Sequence, residues 1–372
     1  MPVSELTHED ALRLNVLLAN KPQAVRINES SMTLFGLLGD GETSIKLNPN
    51  CPDGRYLKQV RSVLSERALG NPAGYPLYLQ RWTRMGRMRD ESLKELLKLG
   101  DPEAVFAVVC AEGLTDELAR RAWWASEEPE NARRMLQTRA VAEGETGKQL
   151  ARYLIEFLPF ETESETMIES VRVAMRPGLL PESERKALWK KSARKIPYLV
   201  GFIAAAPDNL PERMSQRNDL SEICDLLSGD DTPAAGLLLK SLSESGQTLL
   251  DACLRILNKP PTQDVITDTL DVMRDYYSAL RPAGDPDLAW QQLCDEAAVY
   301  VSRTPSLQPL FTRAPALRKE VMAMRVLSGL GYGVLRPVLK GSTATGGLMR
   351  RKLEPVLGGI SDQLRVLLGA AH

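Results

Sequence analysis

Few side chains in this sequence have the type and spacing that catalysis demands. Histidine, the residue best suited to move protons near neutral pH, occurs only at His8 and His372. So placed, the two histidines form no HExxH pair, no Ser/His/Asp set and no zinc spacing, and each reads as a solvated residue. The five cysteines, Cys51, Cys110, Cys224, Cys253 and Cys294, include no CxxC pair, so no disulfide framework is expected. Cys51 lies in the loop Asn48–Gly54 and is the candidate exposed thiol; Arg55 and Lys58 are the cations that would have to activate it. The other four fall on helical stretches and are expected in the core. Asp230-Asp231 and the run Glu161, Glu163, Glu165 stand near helix starts, where acids serve capping and the helix dipole. A catalytic carboxylate pair would need burial to split its two pKa values. The glycine-rich stretch 341–347 could offer N–H groups to an anion, but it lacks the lysine of a phosphate loop and reads as a connector. No catalytic residue, metal or cofactor is therefore expected, and the chain is not read as an enzyme.

Binding chemistry is better represented. Arg81, Trp82, Arg84, Arg87 and Arg89 fall within nine residues that hold no acid. Guanidinium groups grip carboxylate or phosphate bidentately, and tryptophan stacks on a base or a cation. The same spacing, with Met85 and Met88 between the arginines, also suits an amphipathic segment paired with Asp90, Glu91 and Glu95. A second basic set is Lys340, Arg350, Arg351 and Lys352. From Thr312 onward ten lysines and arginines face three acids, within a chain whose net charge is −1. That asymmetry allows a basic tail docked on an acidic body or a basic surface for an anionic partner.

The elements that must position these residues are mostly helices. Leu93, Leu96 and Leu97 share one face of a 3.6-residue period, and Gly100 can take the left-handed conformation that ends such a helix. Asp101 then caps the next helix, with Pro102 at its first position and Glu103 in its first turn. Residues 104–109 are apolar nearly all round and read as a buried helix. Pro-Glu pairs recur at 102, 129, 181 and 211, each expected at a helix start. Their spacing suits either a helix-pair repeat of the HEAT type or an irregular helical array. Before them, Ala24–Asn28, Met32–Leu38 and Thr43–Leu47 have β character, and the turn around Gly39–Glu42 makes the last two a hairpin. The fold class is thus mainly α, with a small N-terminal α+β module carrying a β-meander. Composition places boundaries to give 1–76 as that module, 77–258 as the helical array and 259–372 as a C-terminal helical region with a basic end. In the last helix, Leu348–Leu368, Leu353, Val356, Leu357, Ile360, Leu364, Leu367 and Leu368 form an apolar stripe expected to face inward, with Arg350, Arg351 and Lys352 on an outward rim.

Apolar residues make up 43% of the chain and charged residues 26%, values of a folded rather than a disordered protein. The near-zero net charge offers no global field to draw in nucleic acid or membrane. The longest apolar run, Tyr198–Ala206, is far short of the roughly 20 residues that span a bilayer. No basic region followed by an apolar core opens the sequence, and the unpaired cysteines suit a reducing compartment, so a cytoplasmic location is expected, without membrane insertion.

The stretches Glu9–Pro22, Arg81–Gly86, Leu114–Trp124 and Leu158–Glu163 resemble the "sulfur reduction protein" family DsrS, encoded with dissimilatory sulfite reductase genes in sulfur-oxidising bacteria. The resemblance is best over roughly residues 6–205 and lies in overall texture, with no catalytic signature. It implies a cytoplasmic accessory or regulatory protein of reverse sulfite-reductase sulfur oxidation, acting through contacts with a protein of that pathway. The residues also leave open a regulator that binds RNA through its basic patches.

Overall fold

The computed structural model describes residues 6–39, 41–69, 90–340, 344 and 346–369. The basic run 81–89 and the Gly/Pro-rich stretch 70–76 lie outside the described residues. The chain divides into two compact units, Met1–Phe157 and Leu158–His372. This division follows packing, whereas the boundaries at 76 and 258 follow composition along the chain.

The first unit opens with helix α1 (His8–Ala19), started by Thr7, whose hydroxyl accepts the Asp10 N–H at 3.3 Å. The expected meander follows as β1 (Ala24–Asn28), β2 (Thr33–Leu38) and β3 (Gly41–Lys46), antiparallel in the order β1-β2-β3. Register sets Ile27, Leu34 and Ile45 side by side on one face. There they meet α1 and helix α2 (Asp53–Leu69) in a core built on Leu14, Leu17, Tyr56, Val60 and Leu64. Buried inside it, the Asp10 carboxylate accepts the Tyr56 O–H at 2.5 Å and the Asn48 N–H at 2.7 Å. That clamp fixes the loop between β3 and α2 against the start of α1.

Short helices complete this unit: α3 (Asp90–Leu96), α4 (Pro102–Val109), α5 (Asp116–Ala125), α6 (Pro129–Gln137), α7 (Arg139–Ala142) and α8 (Glu145–Phe157). Gly100 takes the expected left-handed conformation, φ +61°. Asp101 accepts the Glu103 N–H at 2.9 Å, and Thr115 caps α5. In α4, Ala104, Val105, Ala107, Val108 and Val109 are buried, while Phe106 stays exposed. The helices are bound to the sheet directly. The Val25 N–H donates to the Leu97 carbonyl at 2.8 Å, closing the outer side of β1. On the far face, the Arg26 guanidinium lies 4.9 Å from both the Phe35 and Trp124 rings and bonds Glu42 at 2.9 Å.

The second unit is helical: α9 (Ser164–Ala174), α10 (Glu182–Ser192), α11 (Ile196–Ala205), α12 (Leu220–Leu226), α13 (Pro233–Leu242), α14 (Glu244–Asn258), α15 (Gln263–Tyr276), α16 (Trp290–Arg303), α17 (Gln308–Arg313), α18 (Arg318–Leu327), α19 (Tyr332–Leu339) and α20 (Gly346–Leu368). The apolar helix α11 is buried from Pro197 to Ile203 and packs on α9, α10, α14 and α15. The stripe of α20 faces inward as expected, with Leu353, Val356, Leu357, Ile360, Leu364 and Leu367 buried against α14, α18 and α19.

Pro102 and Pro129 occupy first helical positions and Pro181 caps α10. Pro211 corrects the expectation: no helix starts there, and the chain runs without helix to Asp219. The reason is where that segment bonds. The Met214 N–H donates to the Thr248 hydroxyl and the Arg217 N–H to the Leu242 carbonyl, both at 2.9 Å, so its donors serve neighbouring helices.

Candidate functional site

The proposed binding residues Arg81, Trp82, Arg84, Arg87 and Arg89 lie outside the described residues. Lys340, Arg350, Arg351 and Lys352 can be placed. The structure gathers two of these four into one site. Arg350 and Arg351 line a groove of about 530 Å³ on the outer side of α20, together with Arg365, Glu354, Asp362 and Leu257 from the end of α14. Lys340 and Lys352 are exposed but do not line it.

Helical period builds this groove. The apolar stripe of α20 turns inward, which leaves Arg350, Arg351, Glu354, Gly358, Asp362 and Arg365 along its flank and outer side, with the buried Leu357 and Ser361 also lining the groove. Arg350 is half-buried and donates to the Pro260 carbonyl at 3.2 Å, which fixes the guanidinium at the groove wall. Arg365 pairs with Asp362 at 2.6 Å. Arg351 is exposed, with no ion-pair partner among the described residues. Guanidinium, carboxylate and apolar carbon therefore alternate along one groove. Arg365, Glu354 and Asp362 were missed in the sequence because only the stripe and its basic end were read. Glu354 stands at i+4 from Arg350 and Arg365 at i+3 from Asp362, and that spacing was the available signal.

The cysteine expectations need correction. Cys51 is half-buried, its side chain packed against the core of the first unit. The exposed thiols are Cys110, at the C-terminal cap of α4, and Cys224 in the short helix α12. Cys253 is the buried one, and burial pushes its thiol up to about 12. A terminal cap is where a helical face stops predicting burial, because the chain turns away from the packed side.

Burial, with Asp271 beside it, pushes the Asp268 carboxyl up to about 6 against the pull of Arg172. Asp230 is held by Arg313 at 2.6 Å and by the Thr232 hydroxyl at 2.7 Å. Among the described residues no cluster of three or more His, Cys, Asp or Glu side chains could hold a metal ion, and no helix is long and apolar enough to cross a membrane.

No protein-family model, characterised protein or solved structure matches this chain.

Proposed function

We propose that this protein is a non-catalytic accessory or regulatory protein that works by docking another protein in the groove along α20. The observation that carries the reading is the composition of that groove. Arg350, Arg351 and Arg365 alternate with Glu354 and Asp362 beside Leu257. A protein surface of mixed charge can match such a pattern pair by pair. An RNA backbone would bring its phosphates against the two carboxylates, so a protein partner is favoured over RNA. The resemblance of residues 6–205 to the DsrS family supplies the context: a cytoplasmic partner belonging to dissimilatory sulfur oxidation.

The test is in-cell crosslinking with mass spectrometry, comparing the wild-type chain with the double variant Arg350→Ser, Arg351→Ser. A protein partner crosslinked to α20 and lost in the variant, at unchanged melting temperature, is the expected result. The ratio of absorbance at 260 and 280 nm before and after a high-salt wash tests the RNA alternative, because phosphate contacts weaken steeply with salt. Nucleic acid released from the wild type and absent from the variant would overturn the docking of a protein.

A further inference from the structure

The free edge of β3 has an unusual property: its sequence is complementary to itself. β3 is the last strand of the sheet, and among the described residues no strand pairs with its outer side. In an antiparallel ladder, opposed residues alternate between exchanging both hydrogen bonds and exchanging none. The Leu47 N–H donates to the Met32 carbonyl at 2.9 Å, which fixes the phase. With Leu34 opposite Ile45 and Gly36 opposite Thr43, residues 43 and 45 bond inward. Glu42, Ser44 and Lys46 then turn their N–H and C=O groups outward. The contact of Arg13 with the Lys46 carbonyl at 3.4 Å, made from outside the sheet, agrees with this phase.

Beside the edge, α1 exposes apolar surface. Leu12 is 64% and Val16 56% exposed, although both lie on a helix whose Leu14 and Leu17 are buried. With Leu38, Thr43 and Ile45 they wall a groove of about 400 Å³ that opens along β3. An unpaired strand and an apolar helix face thus lie side by side on one edge of the sheet.

We propose that this edge pairs with the same edge of a second copy of the chain, antiparallel about a twofold axis through Ser44. That register places Glu42 opposite the second copy's Lys46, twice by symmetry, and Ser44 opposite Ser44. Shifting the centre to residue 42 or 46 sets Glu42 against Glu42 or Lys46 against Lys46, and like charges directly opposed are unfavourable. A centre at 43 or 45 is a non-bonded pair flanked by only two bonded ones, against three for a centre at Ser44, and within residues 42–46 it sets no opposite charges against each other. The result is one six-stranded sheet with Thr43 and Ile45 of both copies on the α1 face. Leu17 stands over Gly36, so α1 rides above β2. The two copies of β2 are three strand spacings, roughly 14 Å, apart, and Leu12 and Val16 from both sides enter the gap between the helices. The Lys46 carbonyl has a second lone pair for the new ladder, and the exposed Arg13 side chain has room to swing aside. The interface is isologous, as twofold dimers require.

Light scattering of the full chain, run over a concentration series, tests the proposal. The expected species has twice the 41.2 kDa of the chain. Ser44→Pro removes one outward N–H at a position where an edge strand tolerates proline; it should give a monomer with an unchanged melting temperature. Val16→Asp, at an exposed site, should do the same and covers the case in which the proline variant fails to fold. Lys46→Glu should weaken the dimer roughly tenfold, since the altered pair occurs twice. With the exposed thiols removed as Cys110→Ser and Cys224→Ser, Ser44→Cys should form an interchain disulfide under mild oxidation that the same background without it does not form, because a bonded antiparallel pair holds its Cα atoms about 5.5 Å apart. A wild-type chain that stays monomeric at about 100 µM overturns the proposal, whether or not some other peptide binds the edge. So does a dimer that survives both Ser44→Pro and Val16→Asp, since its interface would lie elsewhere.

Discussion

Gly201 crosses Val171 so closely that a Cβ added to the glycine would stand 2.5 Å from the valine Cβ and 2.9 Å from the Ile168 carbonyl oxygen. Neither atom is the free end of a flexible side chain, so α9 and α11 would have to move apart. Because α11 is buried along most of its length, the shift would spread to α14 and α15. Gly201→Ala is expected to destabilise the second unit by about 1–3 kcal/mol, read from the midpoint and slope of urea unfolding followed by helical circular dichroism.

Tyr56 and Asp10 carry a similar weight in the first unit. The Asp10 carboxylate is fully buried; its Oδ2 takes the Tyr56 O–H at 2.5 Å and the Asn48 N–H, while Oδ1 has no hydrogen-bond partner among the described residues. Burial, then the bond to Asp10, raises the Tyr56 hydroxyl above its usual range. Tyr56→Phe keeps the ring in the core and removes one of the two donors, which should cost about 1–3 kcal/mol. Hydrogen exchange of the Asn48 amide should accelerate with it, since the same carboxylate anchors both groups.

Asp268 sets the sign of one pH dependence. Burial, then the neighbouring Asp271, raises its carboxyl from 3.8 to about 6. Between those values the folded chain holds a proton that the unfolded chain has released, so stability falls as pH rises from 4 to 6. The full shift would amount to roughly 3 kcal/mol; with the group part-exposed, screening reduces this to about 1 kcal/mol. Asp268→Asn should therefore stabilise the protein by about 1 kcal/mol at pH 7 and flatten the pH dependence of melting between 4 and 6.

These positions also mark how far the fold was legible. Local rules were enough where one residue decides locally. Gly100 closes its helix, Asp101 and Thr115 cap theirs, and the hairpin around Gly39–Glu42 joins β2 to β3. The inward stripe of α20 was likewise legible, because seven apolar residues share one helical face. Pro211 was not, since its segment is decided by distant acceptors, Thr248 and Leu242, rather than by the Pro-Glu pair itself. Leu257 escaped the sequence for the same reason, since it reaches the groove on α20 only through tertiary packing. Self-complementarity of Glu42, Ser44 and Lys46 was present in the sequence, but it acquires meaning only once β3 is known to be the edge strand and its bonding phase is fixed.

Glu296 offers the sharpest separation between charge and shape. Arg281 bonds its Oε2 at 2.5 Å and Arg325 bonds both its oxygens, while Arg325 also donates to the Leu280 carbonyl and lies 4.1 Å from the Tyr300 ring. Arg281 and Arg325 are only 7% and 9% exposed, so one carboxylate balances two buried arginines. Burial alone would raise the Glu296 carboxyl, but the bonds from Arg325 and Arg281 overcome it and hold the group below its ordinary value of 4.5. Its contribution is therefore complete above about pH 4.5 and is lost as pH falls further, opposite in slope to that of Asp268. Glu296→Gln leaves both cations without a counter-charge and should cost about 3–5 kcal/mol. Arg281→Met leaves an even Arg325–Glu296 pair and fills the same space with apolar atoms, so its cost should stay below about 1 kcal/mol. Chemical unfolding of the two variants at pH 7 checks the difference. Equal losses would mean that the packing of α16 on α18, rather than the balance of charge, depends on this cluster.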